Sequence, residues 1–379
     1  MELISNQLLK DIEDMQAGRP ISLLAKWLPS IKASSRDTIA KAKKIIRHIK
    51  CQDSDYRKAI GRMRSYLKIV EKQMSQHEWN EINYSAVPSR ANLIYNSAFL
   101  RHDEQRRREF LSAAVKGEAK INASVLYPHE IIARYRDGYG YYTSITPNES
   151  LEALWNALPN TVRDRGNTLV VCDGSGSMFT LIDKTGRTTA LDVSHALAIY
   201  FAERMSGAFK NKFITFSSNP QLVNISAGSN LCEKLKITRS HTDCTNTNIQ
   251  KVFELILRTA VNYGVPQEDM PANILIISDM EFDPHSHRAD ARLFETIAKE
   301  YAAAGYKLPR LVFWNVCSRT GTVPMRQNEL GIALVSGFSP NIADMVMSGQ
   351  LDPYLCLLET LNKPRYQPIE ETLRPILAA

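Results

Sequence analysis

The spacing of apolar residues changes near residue 165, and this change constrains the fold of the 379-residue chain more than any other feature. Up to about residue 164, apolar side chains recur three and four positions apart with Lys and Arg between them, as in "RDTIAKAKKIIRHI" and "DYRKAIGRMRSYLKIVEKQM". This period is typical of amphipathic helices that share a core. The first part of the chain is therefore predicted to be an all-α stack, arranged like helical repeats.

From residue 167, short apolar runs alternate with helical stretches. The runs "NTLVVCD", "ANILIISD" and "RLVFWNV" are apolar on both faces, as in parallel strands covered on both sides, and a hairpin is expected near Asn219-Pro220. The prediction is a doubly wound, mostly parallel α/β domain. The predicted parts are a helical module at 1–164, the α/β domain at 165–350, and a C-terminal helix and tail at 351–379.

Composition narrows the class of protein. Hydrophobic residues make up 44% and charged residues 23%, which are values of folded globular chains. No apolar run reaches the roughly 18 residues of a membrane span, and the start, "MELISNQLLKDIEDMQ", is too acidic and polar for a signal peptide. The six cysteines are scattered, which favours reduced thiols. We therefore expect a cytoplasmic protein that does not bind membranes.

Positive charge is concentrated in the first part of the chain. Residues 1–167 hold 27 Lys and Arg against 19 Asp and Glu, whereas the remainder holds 20 against 21. This excess indicates a polyanionic partner such as RNA, although a solvated helix face explains it equally well. The candidates for phosphate contact are Lys43, Lys44, Arg47, Arg106, Arg107 and Arg108. The stretch 134–144, with four tyrosines, is either a base-stacking surface or a linker between the two parts.

Three segments at strand ends carry oxygen ligands. Asp173, Ser175 and Ser177 follow the first predicted strand, Thr247 precedes a long helix, and Asp279 follows "ILIIS". In a doubly wound sheet the two strands are central, so these segments can converge. Two carboxylates and three hydroxyls suit Mg²⁺ or Mn²⁺, and Ca²⁺ less well. One coordination position should stay open for water or for an incoming acidic group.

Simpler interpretations of the same residues stay open. Asp173 also suits a capped turn after a strand, and Thr247 suits a helix N-cap, with Thr245 as the alternative ligand. Glu281 and Asp283 are typical of solvated acids, but their closeness to Asp279 keeps a hydrolytic two-metal site as an alternative.

The three segments resemble the metal-ion-dependent adhesion site (MIDAS) of von Willebrand factor type A domains. The match places Asp173, Ser175 and Ser177 in the first segment, Thr247 in the second and Asp279 in the third. In that family these groups bind the metal directly or through water, and an acid of the partner completes the shell. The resemblance therefore implies capture of an acidic protein partner.

The flanking stretches "RHDEQRRREFL" and "KGEAKINASVLYPHEII" resemble the family named domain of unknown function 2828, over about residue 5 to the end of the α/β domain. The architecture of that family is similar to that of Ro ribonucleoprotein (TROVE) proteins, which form a ring of helical repeats that binds misfolded or small noncoding RNA. This second resemblance implies RNA binding by the helical module.

The sequence favours a non-enzymatic binding protein over an enzyme. It has neither G-x-S-x-G spacing around a serine nor a G-x-x-x-x-G-K-[ST] loop, and it shows no convincing general base. The expected function is metal-dependent capture of an acidic group, combined with RNA binding by the basic helices. The alternatives are an RNA-binding ribonucleoprotein component with a structural metal site, and a metal-dependent phosphohydrolase or nuclease.

Overall fold

A computed structural model of the protein describes most of the chain. The described residues are 1–136, 145–162, 167–182, 188–242, 248–279, 291–317, 333–337, 353–362, 364–367 and 369. The chain divides into two compact units, Met1–Asn122 and Ala123–Ala379. Among the described residues, no helix combines the length and apolar content that crossing a bilayer requires.

The first unit is helical, as the apolar spacing predicts. Its helix α3 shows why: the Ser35 hydroxyl accepts a hydrogen bond from the N–H of Thr38, and Lys50 closes the helix in the left-handed conformation. The α-helices are α1 (Glu2–Gln16), α2 (Leu24–Trp27), α3 (Arg36–Ile49), α4 (Asp53–Tyr66), α5 (Val70–Ser75), α6 (Ser89–His102) and α7 (Glu104–Val115). Short 3₁₀ helices cover Trp79–Glu81 and Tyr84–Ala86.

Two separate apolar clusters stabilise the first unit. The first joins α1 to α4 through buried residues such as Leu8, Ile46 and Met63. The second joins α5, α6 and the segment between them, through Val70, Ile82, Tyr84, Val87, Ala91 and Phe99. Residues 1–67 therefore form a small helical body with its own core inside the first unit.

The second unit is an α/β domain. Its strands are β1 (Thr168–Asp173), β2 (Lys212–Phe216), β3 (Leu222–Asn224), β4 (Asn273–Ser278), β5 (Arg310–Asn315) and β6 (Ala333–Ser336). The α-helices among its described residues are α8 (Pro128–Ile132), α9 (Glu149–Asn156), α10 (Ala190–Arg204), α11 (Leu231–Ser240), α12 (Ile249–Tyr263), α13 (Ala291–Ala303) and α14 (Pro353–Leu361). The 3₁₀ helices are Ala133–Tyr135, Gly176–Phe179, Gln267–Asp269 and Pro364–Tyr366.

The six strands form one sheet in the order β3-β2-β1-β4-β5-β6. All neighbouring pairs are parallel except β2 and β3, which form the predicted hairpin. The core strands β1 and β4 are buried along their whole length, as their apolar runs require. The predicted α/β class, with a helical region followed by a mostly parallel sheet, is confirmed.

The compact second unit begins earlier than the change in apolar spacing. Spacing places a boundary at residue 164, whereas the unit starts at Ala123. The reason is that α8 packs against α10 and α9 packs against both α8 and α11. Helical spacing shows which face of a helix is buried, but it does not show which element covers that face.

Candidate functional site

The candidate site lies where the order of the strands reverses. The chain forms β1 at the centre, adds β2 and β3 on one side, and then returns to place β4 on the other side of β1. In open parallel sheets, ligands bind beyond the carboxyl ends of the strands at such a switch point. Asp173 ends β1 and Asp279 directly follows β4, so both acids stand at this position.

Asp173 is held in place by two hydrogen bonds. Its side chain is buried, with 2% exposure. The Ser278 hydroxyl donates to Oδ2 at 2.6 Å, and the backbone N–H of Ser175 donates to Oδ1 at 2.8 Å. These bonds fix the carboxylate at the end of the strand and orient the turn that follows it.

The two predicted serines lie together in that turn. Ser175 precedes the 3₁₀ helix Gly176–Phe179, and Ser177 lies within it. Their hydroxyl oxygens are 3.1 Å apart, and both residues are half-buried. The structure thus brings Asp173, Ser175 and Ser177 to one place, with oxygen atoms that suit a hard cation.

Asp279 is also buried, with 1% exposure. Burial, the largest influence, raises the pKa of Asp173 to about 6; the hydrogen bonds from Ser278 and Ser175 lower it, and the charge of Asp279 raises it. The two carboxylates therefore lie close enough to repel one another in a poorly solvated position.

Thr247 and Thr245 lie outside the described residues, as do Glu281 and Asp283 of the alternative hydrolytic site. The described chain resumes at Asn248, whose side chain caps α12 by accepting a hydrogen bond from the N–H of Lys251. The tyrosine-rich stretch is described only up to Arg136.

Two contacts of the site were missed in the sequence. Ser278 was seen only as the end of an apolar strand, although a single hydroxyl beside an acid could have signalled its role. Lys251 Nζ donates to the carbonyl of Ser218 at 2.8 Å. Ser218 lies two residues beyond Phe216, which is in register with Asp173. Because β1 and β2 are parallel, Lys251 lies at the edge of the sheet at which Asp173 lies, and this edge forms the rim of the site.

The six basic candidates divide into two groups. Lys43, Lys44 and Arg47 are exposed on α3, where phosphates have access to them. Arg106 and Arg108 are also exposed, but Arg106 donates to the carbonyls of the 79–82 segment and Arg108 pairs with Glu104 at 2.8 Å.

The structure corrects the prediction that Arg107 contacts phosphate, because its side chain is inaccessible. It is fully buried, with 0% exposure. Its guanidinium donates to the side-chain oxygens of Asn96 and Asn92, both at 3.0 Å. The middle arginine of the "RRR" run is therefore part of the core of the first unit.

Comparison with known proteins adds the family context. Two family models match this chain. Residues 35–168 match domain of unknown function 2828 (DUF2828), and residues 167–354 match domain of unknown function 7788 (DUF7788). The expected resemblance to domain 2828 is thus confirmed for the helical part, whereas the α/β part matches a different model.

A curated relative and a solved structure are also similar. "Uncharacterized protein L728" of Acanthamoeba polyphaga mimivirus is 28% identical over 393 residues, an alignment that includes 97% of this chain. The chain spans 66% of the length of that relative. The Deinococcus radiodurans RO (RSR) protein shows a TM-score of 0.40 at 13% identity, over 89% of this chain and 75% of that one.

Proposed function

We propose that the second unit binds a divalent cation, Mg²⁺ or Mn²⁺, and uses it to capture an acidic group of a protein partner without catalysis. Asp173, Asp279, Ser175 and Ser177 would hold the ion, and Thr247 would complete the set. The resemblance of these segments to the adhesion-type metal site supports the proposal, as does their place at the switch point of the sheet.

The observation that carries the proposal is a pair of buried carboxylates beside two converging hydroxyls. Asp173 and Asp279 are at most 2% exposed, and the charge of Asp279 raises the pKa of Asp173. Two acids in a poorly solvated position destabilise one another unless a positive charge lies between them. A small dication supplies that charge, and it prefers the oxygen ligands that the two serines offer.

The same ligand set explains the choice of partner. The two carboxylates do no more than balance the charge of a dication, and the neutral hydroxyl oxygens donate little electron density to it. The bound ion therefore still attracts one further anion. The rim adds positive potential, because Lys251 and the N-terminus of the 15-residue helix α12 lie beside the end of β2. An acidic side chain thus meets both an electron-poor ion and a basic rim.

Isothermal titration calorimetry with Mg²⁺ and with Mn²⁺ tests the proposal. We expect Asp173→Asn and Asp279→Asn to abolish the binding heat that the unaltered chain gives. Glu254→Gln, which changes an exposed acid on α12, is the matched control and should bind normally. Circular dichroism checks that each variant is folded. Unchanged cation affinity in folded Asp173→Asn would overturn the proposal.

RNA binding by the first unit is a second candidate function. The observation that favours it is the exposure of Lys43, Lys44 and Arg47 along one helix, α3, within a unit that carries an excess of Lys and Arg. A titration with single-stranded RNA at low salt tests this candidate, and a flat titration would exclude it.

A further inference from the structure

Trp27 is the most exposed tryptophan among the described residues. Its side chain is 76% exposed at the end of α2, whereas Trp155 and Trp314 are fully buried in the second unit. A large aromatic ring in water loses the free energy that burial would supply, about 1.5–3 kcal/mol for a large apolar side chain. Trp27 is therefore a candidate for contact with a ligand.

The segment that carries Trp27 is firmly attached to α4 on one side. Arg64 of α4 donates to the carbonyl of Ala25 at 2.9 Å and to the carbonyl of Leu28 at 2.7 Å. It also donates to the Ser30 hydroxyl at 2.9 Å. One guanidinium thus holds the backbone on both sides of Trp27.

The start of the segment is held by a buried acid. Asp11 of α1, which is 1% exposed, accepts hydrogen bonds from the backbone and the hydroxyl of Ser22. At the other end, the Tyr56 hydroxyl donates to the carbonyl of Pro29 at 2.9 Å. The backbone that presents the indole is therefore pre-organised, which reduces the entropy lost when a ligand binds.

The chain around Trp27 in the sequence is basic, although α1, which packs against α2, adds four acids and only Lys10. Residues 22–68 contain thirteen Lys and Arg but only three Asp and no Glu. The three acids, Asp37, Asp53 and Asp55, lie in the first turns of α3 and α4, where they offset the positive end of the helix. Lys26 Nζ lies 5.6 Å from the centroid of the Trp27 ring.

The charge and the ring belong to the same folded body. The first apolar cluster joins α1 to α4 into one small body, which carries both Trp27 and the exposed Lys43, Lys44 and Arg47. A folded body of the size of residues 1–67 has a radius of gyration of about 11 Å, which is comparable to the span of a few nucleotides. An exposed aromatic ring on a basic body is a combination that proteins use to bind single-stranded nucleic acids.

We propose that the first unit binds a single-stranded nucleic acid with one unpaired base stacked on Trp27 and the flanking phosphates on the basic residues of α3. This proposal rests on the second candidate function and adds a specific contact to it. An acidic protein would match the charge, but the flat face of the indole stacks on an unpaired base of any identity, and a protein offers no such base. A duplex would match the charge but keeps its bases stacked internally.

Fluorescence anisotropy with labelled 12-mers of uridine and of thymidine, using the full chain over a range of salt, tests the proposal. We expect Trp27→Ala to lower the affinity about 5- to 150-fold, the effect of losing one stacked base, without changing the slope of log affinity against log salt. Trp27→Phe should restore most of the affinity. Leu9→Ala, an exposed apolar residue on α1, is the control and should bind normally.

Loss of the phosphate contacts, unlike loss of the Trp27 ring, should change the salt slope. Replacing Lys43, Lys44 and Arg47 together by Ala should reduce the salt slope by about 2, since each phosphate contact to a single strand contributes about 0.7. If the unaltered chain binds neither oligonucleotide, RNA binding and the Trp27 proposal both fail. If it binds and folded Trp27→Ala binds equally well, only the Trp27 proposal fails. Equal competition by duplex RNA or polyglutamate would also overturn it.

Discussion

Arg107 is a buried cation enclosed by aromatic rings. Its guanidinium carbon lies 5.0 to 5.5 Å from the centroids of three rings, those of Tyr84, Phe99 and Phe110. Burial lowers the pKa of Arg107 to about 10, so the group stays charged at neutral pH. Two amide oxygens and three π-faces stabilise the charge, and the packing of the second apolar cluster depends on this arrangement.

Arg107→Ala should therefore act on stability. We expect the free energy of unfolding of the first unit to fall by about 2–4 kcal/mol, because the change leaves a cavity and two unpaired amide oxygens. Arg108→Ala is the neighbouring control; its exposed ion pair with Glu104 is worth at most about 1 kcal/mol. Urea denaturation measures both. Equal stability of the two variants would contradict the role assigned to Arg107.

Residue types predicted some of these positions better than others. Asp173 and Asp279 were predicted at the ends of two strands, and they lie there, because acids that follow apolar runs are conspicuous in the sequence. Ser278 was not, because its contact with Asp173 depends on the register of β1 and β4, which the sequence does not state. The burial of Arg107 depends in the same way on rings from other elements.

At the scale of elements, α10 is the most enclosed helix in the part of the second unit that the structure describes. All its residues from Ala190 to Ala202 are buried, including His195. The His195 ring forms a hydrogen bond with the Thr242 hydroxyl at 3.3 Å. Burial, and after it the charge of Arg239, lower the pKa of His195 to about 3, so this histidine is neutral in the folded protein at ordinary pH.

Acid should therefore destabilise the second unit through His195. Between about pH 6 and pH 4, the unfolded chain binds a proton at this residue and the folded chain does not, so stability falls by up to about 1.4 kcal/mol per pH unit. His195→Gln lacks this titration, and its stability should fall less steeply with pH. Denaturant unfolding at several pH values measures the difference in slope; parallel slopes would contradict the assignment.

Apolar spacing predicted the elements themselves well. The runs that are apolar on both faces form the central strands, and the turn near Asn219-Pro220 lies in the hairpin of β2 and β3. The packing of α8 and α9 within the second unit was not predicted, because the partner of an amphipathic face is set by tertiary contacts alone.

At the scale of the whole molecule, the proposed metal site belongs to one unit only. If the two units unfold separately, saturating Mg²⁺ should raise the midpoint of one thermal transition and leave the other unchanged. At 100 times the dissociation constant, the gain in stability is about 2.7 kcal/mol. Differential scanning calorimetry measures both transitions, and Asp173→Asn should remove the shift. A shift that persists in this variant would place the ion elsewhere.

The bond between Ser278 and Asp173 joins positions 105 residues apart. Bringing such distant positions together is entropically unfavourable and comes late in assembly. A newly made chain would therefore lack the proposed cation site until β4 docks beside β1. The chain would thus be able to bind its partner only after folding is complete, and incompletely folded chains would not bind it.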